Sequence, residues 1–207
     1  MRDMNLLVDG PGGGIVVVLT HGAGAPMDSD WMNDISAGLA GRGLRVVRFE
    51  FPYMQRRRED GKRRGPDRPH VLLATWRKVI ATLAGPGRLV IGGKSMGGRI
   101  ASMVADECGV GGLVCMGYPF HPPRAPGKLR TAHLHDLATP ALILQGTRDP
   151  FGTPNEVAGY GLAPAIRMHW LEDGDHSFKP RVKSGRTLQQ NVDEAVGEIT
   201  RFVEALA

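Results

Sequence analysis

The 207-residue chain is 42% hydrophobic and 23% charged, with a formal net charge of +5. This is an ordinary soluble globular composition, long enough for one well-buried core and too short for two comfortable domains. The positive balance permits nucleic-acid binding, but the excess is local. Arg56, Arg57, Arg58, Lys62, Arg63, Arg64 and Arg68 crowd one stretch, diluted by Glu59, Asp60 and Asp67. No set of stacking aromatics accompanies them, so nucleic acid is not the expected partner. Met1–Asn5 does not open a signal peptide, and the apolar run Ile15–Leu19 is too short to cross a membrane. The two cysteines, Cys108 and Cys115, sit in apolar neighbourhoods and read as free buried thiols, which fits a reducing cytoplasm.

Apolar runs of strand length alternate with longer amphipathic stretches. In chain order the strands are Ile15–Thr20, Leu44–Phe51, Leu89–Ile91, Leu113–Met116, Ala141–Gln145 and Ile166–Leu171. Helix-compatible stretches at Asp30–Ala40, His70–Leu83, Gly98–Glu107 and Pro154–Gly161 lie between them. Leu188–Leu206 closes the chain as a long helix with apolar residues at three- and four-residue spacing. Strands buried on both faces and joined by helical crossovers predict an α/β fold. The expected form is a three-layer α/β/α sandwich around a mostly parallel sheet of about six or seven strands. The proline-rich run Pro119–Gly127 is a loop at a strand's carboxyl end, the edge at which such sheets bind ligands. No large lid fits in the chain, so a shallow, fairly open pocket is expected.

The segment Leu89–Gly98 is the most informative. A buried strand stops at G-x-S-x-G and gives way to a helix-compatible run. A sharp strand-to-helix turn lifts Ser95 clear of its own backbone, and it needs small residues two positions either side, where Gly93 and Gly97 stand. Gly92 and Gly98 are expected to add slack. Gly93-Lys94-Ser95 also resembles the end of a phosphate-binding loop, but the first glycine of that motif would fall on Arg88, and the strand lies inside the would-be loop.

Three further features suit an acyl-transferring serine. His21–Ala25, glycine-rich and directly after a strand, can offer backbone N–H groups to an oxyanion. Ala23 is the chosen donor with Gly24 as alternative, and the N–H of Met96 is the second. Asp149 follows the Ala141–Gln145 strand and can orient an imidazole. His176, in the loop after the last strand, can act as general base for Ser95. Asp173 and Asp175 are the competing carboxylates. His133 and His135 form an H-x-H pair without a third ligand at recognisable spacing, and His70 and His169 read as helix-start and strand residues. No metal, nucleotide or organic cofactor is implied.

The order Ser95, Asp149, His176 is the order used by α/β-hydrolases. Five motifs carry a closer resemblance: THGAGA (20–25), RFEFPYM (48–54), GKRRGPD (61–67), GGKSMGGR (92–99) and QGTRDPFG (145–152). Together they make the chain resemble a small, lidless, dienelactone-hydrolase-like member of the KANL/Tex-type subgroup, over residues 1–207 as one α/β-hydrolase domain. The resemblance implies Ser95 as nucleophile, Asp149 as acid and His176 as base. Dienelactone hydrolases proper use cysteine where this chain has Ser95, so their substrate does not carry over. The expected function is hydrolysis of a small-molecule carboxylic ester or thioester with a small to medium acyl group. A small-substrate peptidase and a non-catalytic binding or scaffold protein on the same fold are the alternatives, and the oligomeric state stays open. The arginine-rich stretch is expected as a loop starting at the serine's edge of the sheet, either a solvated loop salt-bridged through Glu59, Asp60 and Asp67 or an anion-collecting rim that includes Arg63 and Arg64.

Overall fold

A computed structural model describes residues 5–83 and 85–207. The strands are β1 (Leu6–Asp9), β2 (Val16–Thr20), β3 (Arg45–Phe49), β4 (Leu89–Lys94), β5 (Gly112–Met116), β6 (Ala141–Gly146) and β7 (Ile166–Leu171). They form one sheet in the order β1-β3-β2-β4-β5-β6-β7. β1 runs antiparallel to β3, and every other pairing is parallel. The helices are α1 (Asp30–Ala40), α2 (Pro52–Asp60), α3 (Pro69–Thr82), α4 (Met96–Ser102), α5 (Ala105–Cys108), α6 (Pro154–Val157) and α7 (Leu188–Glu204).

The two-residue period of the strands sorts their side chains into two cores. Val17, Leu19, Val90, Val114 and Leu142 face Ile35 and Leu39 of α1 and Ala195, Val196 and Ile199 of α7. Val18, Ile91, Leu113, Cys115 and Ile143 face the opposite way, toward Trp76 and Val79 of α3 and Ile100 of α4. Both faces of the central strands are therefore apolar, which is why they read as continuous hydrophobic runs. Trp76 is wholly buried and meets Phe49 edge-on with ring centroids 4.7 Å apart. Its truncation to alanine would cost about 3–5 kcal/mol.

Four elements differ from the sequence expectation. β1 was not anticipated, because four residues followed by glycine carry too short a pattern. It is held by its ladder to β3 and by the buried Arg48, which donates to Asp9 at 2.9 Å, to Asn33 at 2.7 Å and to the Met27 carbonyl at 2.9 Å. α2 replaces the first part of the expected arginine loop. Pro52 stands in its first turn and Gly61 ends it at φ 68°, the usual proline-first, glycine-last punctuation. Only Tyr53 and Met54 of this helix are buried, so no apolar stripe betrays it. The helix expected over Gly98–Glu107 breaks into α4 and α5, with Ser102 Oγ bonding back to the Arg99 carbonyl at 2.7 Å near the break. The helix expected over Pro154–Gly161 is the single turn α6, closed by a Thr153–Glu156 capping box.

The chain leaves β2 toward β3 on one side, and β4 lies on the other. At such a reversal the loops after the two strands part and leave a crevice at their carboxyl ends. The loop after β2 and the turn after β4 meet there.

Candidate active site

Ser95 sits between β4 and α4 at φ 50° and ψ −114°, a conformation that costs a non-glycine residue roughly 1–3 kcal/mol. Its surroundings hold it there. Its N–H donates to the Met116 carbonyl at 2.9 Å, and its carbonyl accepts from Arg99 N–H at 3.0 Å. A Cβ on Gly93 would stand 2.2 Å from the Thr20 carbonyl oxygen, and one on Gly97 would stand 2.7 Å from that of His21. Gly92 and Gly98 do not supply slack, contrary to expectation. A Cβ on Gly92 would meet the Val114 oxygen at 1.8 Å, and one on Gly98 the Gly93 oxygen at 2.7 Å. All four glycines let backbones pass where no side chain fits.

The expected trio comes together. His176 Nε2 lies 2.9 Å from Ser95 Oγ, and His176 Nδ1 lies 2.8 Å from Asp149 Oδ2. The carboxylate can only accept, so Nδ1 carries the proton and Nε2 is left to accept from the serine hydroxyl. Asp149 is fully buried. Its Oδ1 accepts from Phe151 N–H at 2.9 Å, and its Oδ2 also accepts from Gln145 Nε2 at 2.9 Å. Gln145 in turn is oriented by the Tyr118 backbone, accepting from its N–H at 2.7 Å and donating to its carbonyl at 3.1 Å. Sequence reasoning missed Gln145. The available signal was a lone amide in the otherwise apolar run Ala141–Gln145.

Asp173 and Asp175 are engaged elsewhere. Asp173 pairs with Arg181 and lies 3.6 Å from Arg148, and these cations hold its carboxyl down to about 2. Asp175 Oδ1 accepts from the N–H groups of Ser177 at 2.7 Å and Lys179 at 3.0 Å.

Lys94 is a second residue missed by the sequence reading. Its ammonium donates to the carbonyl of His176 and lies 5.0 Å from the Trp31 ring centroid and 5.4 Å from that of Phe178. Loss of water around the ammonium lowers its pKa to about 8, against the opposing pull of Asp149 and Asp175. The lysine thus fixes the backbone of the histidine whose ring meets Ser95.

The loop after β2 is pinned from behind. His21 Nε2 accepts from Phe51 N–H at 3.1 Å, so its Nδ1 donates to the Gly22 carbonyl at 2.7 Å, and burial lowers its pKa and keeps it neutral. Tyr53 of α2 donates to the Ala23 carbonyl at 3.0 Å. The Ala23 N–H engages no acceptor among the described residues, and Met96, as the first residue of α4, has no acceptor within its helix.

Two hollows meet at Ser95. One, of about 350 Å³, is lined by Pro26, Trp31, Met32, Lys94 and His176. The other, of about 490 Å³, is lined by Met96, Arg99, Pro119, Arg130 and Phe151. Ala23, Ser95 and Phe151 border both. Pro119 and Arg130 belong to the loop that carries the proline-rich run, which does reach the ligand edge of the sheet. Arg63 and Arg64 line neither hollow. Arg63 is exposed, and Arg64 pairs with Asp60 at 2.5 Å.

Three of the other histidines are separately engaged. His133 lies 2.8 Å from Ser102 Oγ, and burial, then Arg99, lowers its pKa to about 4. His135 meets the Gly161 carbonyl at 2.8 Å, and His169 meets Glu194 at 2.9 Å. The Ser102–His133 contact is a second serine–histidine pair, but Ser102 Oγ is turned back to its own helix. Among the described residues no group of three or more His, Cys, Asp or Glu is placed to hold a metal ion, and no helix is long and apolar enough to cross a membrane.

Comparison with known proteins agrees with this architecture. A family model described as an alpha/beta hydrolase domain matches residues 13–204. Est1E from Butyrivibrio proteoclasticus superposes with a TM-score of 0.69 at 13% identity, over 98% of this chain and 95% of that one. Dienelactone hydrolase from Anabaena variabilis gives 0.68 at 20% identity, over 93% and 89% of the two chains. A lidless α/β serine hydrolase from Xanthomonas campestris gives 0.61 at 18% identity, over 94% and 88%. The chain belongs to the alpha/beta hydrolase family and is a hydrolase enzyme.

Proposed function

We propose that this enzyme hydrolyses a carboxylic ester or thioester of a small to medium acyl group, on a small molecule, through a Ser95–His176–Asp149 triad. The observation that carries this reading is the unbroken hydrogen-bond chain from Ser95 Oγ through His176 to the buried Asp149, at 2.9 and 2.8 Å. The strained φ at Ser95 supports it further, because a scaffold gains nothing from holding a serine so.

Ser95 Oγ attacks the acyl carbon as its proton passes to His176 Nε2, giving a tetrahedral oxyanion. The N–H groups of Ala23 and Met96, free to donate, stabilise that charge. Asp149 stabilises the imidazolium, which returns the proton to the departing alkoxide or thiolate. Water, deprotonated by the same nitrogen, then attacks the acyl-enzyme and releases the acid with Ser95 restored. The two free cysteines support a reducing cytoplasm as the place of work.

The test is labelling with a fluorophosphonate, followed by peptide mapping. A single label on Ser95, lost in Ser95→Ala while the circular dichroism spectrum stays native, is the expected result. Labelling elsewhere, or near-wild-type ester turnover in Ser95→Ala, overturns the assignment.

A further inference from the structure

The two hollows at Ser95 offer a substrate different chemistry, and the proposed roles of Ser95 and His176 decide which end of the ester each receives. The imidazolium must hand its proton to the leaving group, so the leaving group lies on the side that His176 lines. That is the apolar hollow with Trp31 and Met32. The acyl chain is left with the other hollow, where two guanidiniums stand.

Arg99 stands on α4, one turn beyond Ser95, and its Nε is buried with no hydrogen-bond partner. Arg130 is presented from a clamped stretch of loop. Its N–H donates to the Phe120 carbonyl at 2.8 Å, and its carbonyl accepts from Tyr118 Oη at 3.0 Å. Neither guanidinium belongs to an ion pair among the described residues. Burial and the nearby charge of Arg99 together disfavour the charged form of Arg130, lowering its pKa. Elsewhere the chain does pair such groups: Arg56 and Arg58 of α2, and Arg64 just beyond it, each hold a carboxylate. Two neighbouring, partly desolvated cations without a counter-charge are costly, and an incoming anion relieves both burial and mutual repulsion. Guanidinium forks match the planar geometry of a carboxylate.

We propose that Arg99 and Arg130 form an acyl-side anion subsite, so that the preferred substrates are esters or thioesters whose acyl chain ends in a carboxylate. This inference rests on the Ser95 nucleophile reading for its orientation. It moves anion recognition from the exposed Arg63 and the Asp60-paired Arg64 to the hollow beside the serine.

The experiment compares 4-nitrophenyl hydrogen glutarate with 4-nitrophenyl hexanoate, which share a leaving group and nearly a chain length. At low salt the anionic ester is expected to show the higher kcat/KM, by roughly tenfold to a hundredfold. The ratio should fall as salt is added. In Arg99→Met and Arg130→Met the ratio should drop toward unity, and in Arg130→Glu it should invert in favour of a chain ending in trimethylammonium. If Arg99→Met fails to fold, Arg130→Met decides alone, since that guanidinium makes no hydrogen bond among the described residues. Equal kcat/KM for the two esters in the native enzyme, or a preference that survives both substitutions, overturns the subsite.

Fluorophosphonate labelling of the same preparations separates the two readings. Labelled Ser95 without charge preference sinks the subsite and leaves the nucleophile standing. No labelling and no hydrolysis sink the nucleophile. The subsite is then decided by glutarate alone: a rise in Tm that disappears in Arg130→Met sustains it, and no rise overturns it.

Discussion

Two charged networks flank the crevice and are built on opposite rules. Around α2 the groups are many and mostly exposed: Arg56 with Asp67, Arg58 with Asp28 and Glu50, and Arg64 with Asp60. Each of these three cations holds a carboxylate, and such surface pairs add little individually. Behind Ser95 the groups are few and desolvated. Asp149 alone serves His176, Gln145 and the Phe151 N–H, and Lys94 alone holds the His176 carbonyl. Density of charge in the sequence marks the redundant network, whereas sharing of one buried acceptor marks the network with no spare member. Glu50 belongs partly to both kinds, since its side chain is buried beneath Arg58 and also accepts from Met27 N–H at 3.1 Å.

Substitutions along this contrast should separate the two networks by effect. Under the proposed mechanism Ser95→Ala lowers kcat on the order of 10³-fold or more, because triad members act as a unit. Asp149→Asn should lower it roughly 10²–10³-fold by disturbing the imidazole tautomer. Steady-state assay of both on a neutral 4-nitrophenyl ester, with circular dichroism as the folding control, checks the order. Near-native turnover in Asp149→Asn would break the comparison at its centre. Gln145→Leu strands the buried Tyr118 N–H and removes a donor from Asp149. It should destabilise the protein by about 1–3 kcal/mol in urea titration and lower kcat about tenfold.

Lys94→Met should act more mildly and reveal itself through pH. Folding brings this amine from its ordinary 10.5 to about 8. Between those values the unfolded chain binds the extra proton, so native stability rises with pH across the window and the ammonium is a cost below it. The substitution should flatten that rise in urea titrations at pH 7.5, 9 and 10. Wild-type kcat should decline as pH passes about 8, as the neutral amine donates more weakly to the His176 carbonyl. Lys94→Met should lack that limb. At the far end, Arg64→Ala should leave Tm and kcat within experimental error, and a clear loss in either would blur the distinction between the networks.

Much of this was legible in the residues because it rests on local rules. The central strands announced themselves through two-sided burial, and α1 and α7 through helical spacing of residues such as Ile35, Leu39, Val196 and Ile199. Ser95, Asp149 and His176 were readable because each follows the carboxyl end of a strand, and the structure brings the three together as expected. What escaped was set by partners distant in sequence. β1 exists through its ladder to β3, and α2 hides its polar face behind proline and glycine punctuation. Gln145 and Lys94 gain meaning only when Tyr118 and His176 arrive beside them. Gly92 looked like slack because the Val114 carbonyl it accommodates lies on a neighbouring strand.

The span of the hydrogen-bonded trio has a consequence for how the chain matures. Ser95 and His176 are 81 positions apart and Asp149 and His176 are 27 apart, so the trio exists only after β4, β5, β6 and β7 have all found their parallel neighbours. Non-local parallel pairing forms slowly, because loop closure precedes the contacts that reward it. Under the proposed mechanism, recovery of Ser95 reactivity after dilution from denaturant should therefore lag the return of helical ellipticity. A fluorophosphonate pulse would time the last stage of assembly, and a nascent chain would stay chemically silent until its final strand had docked.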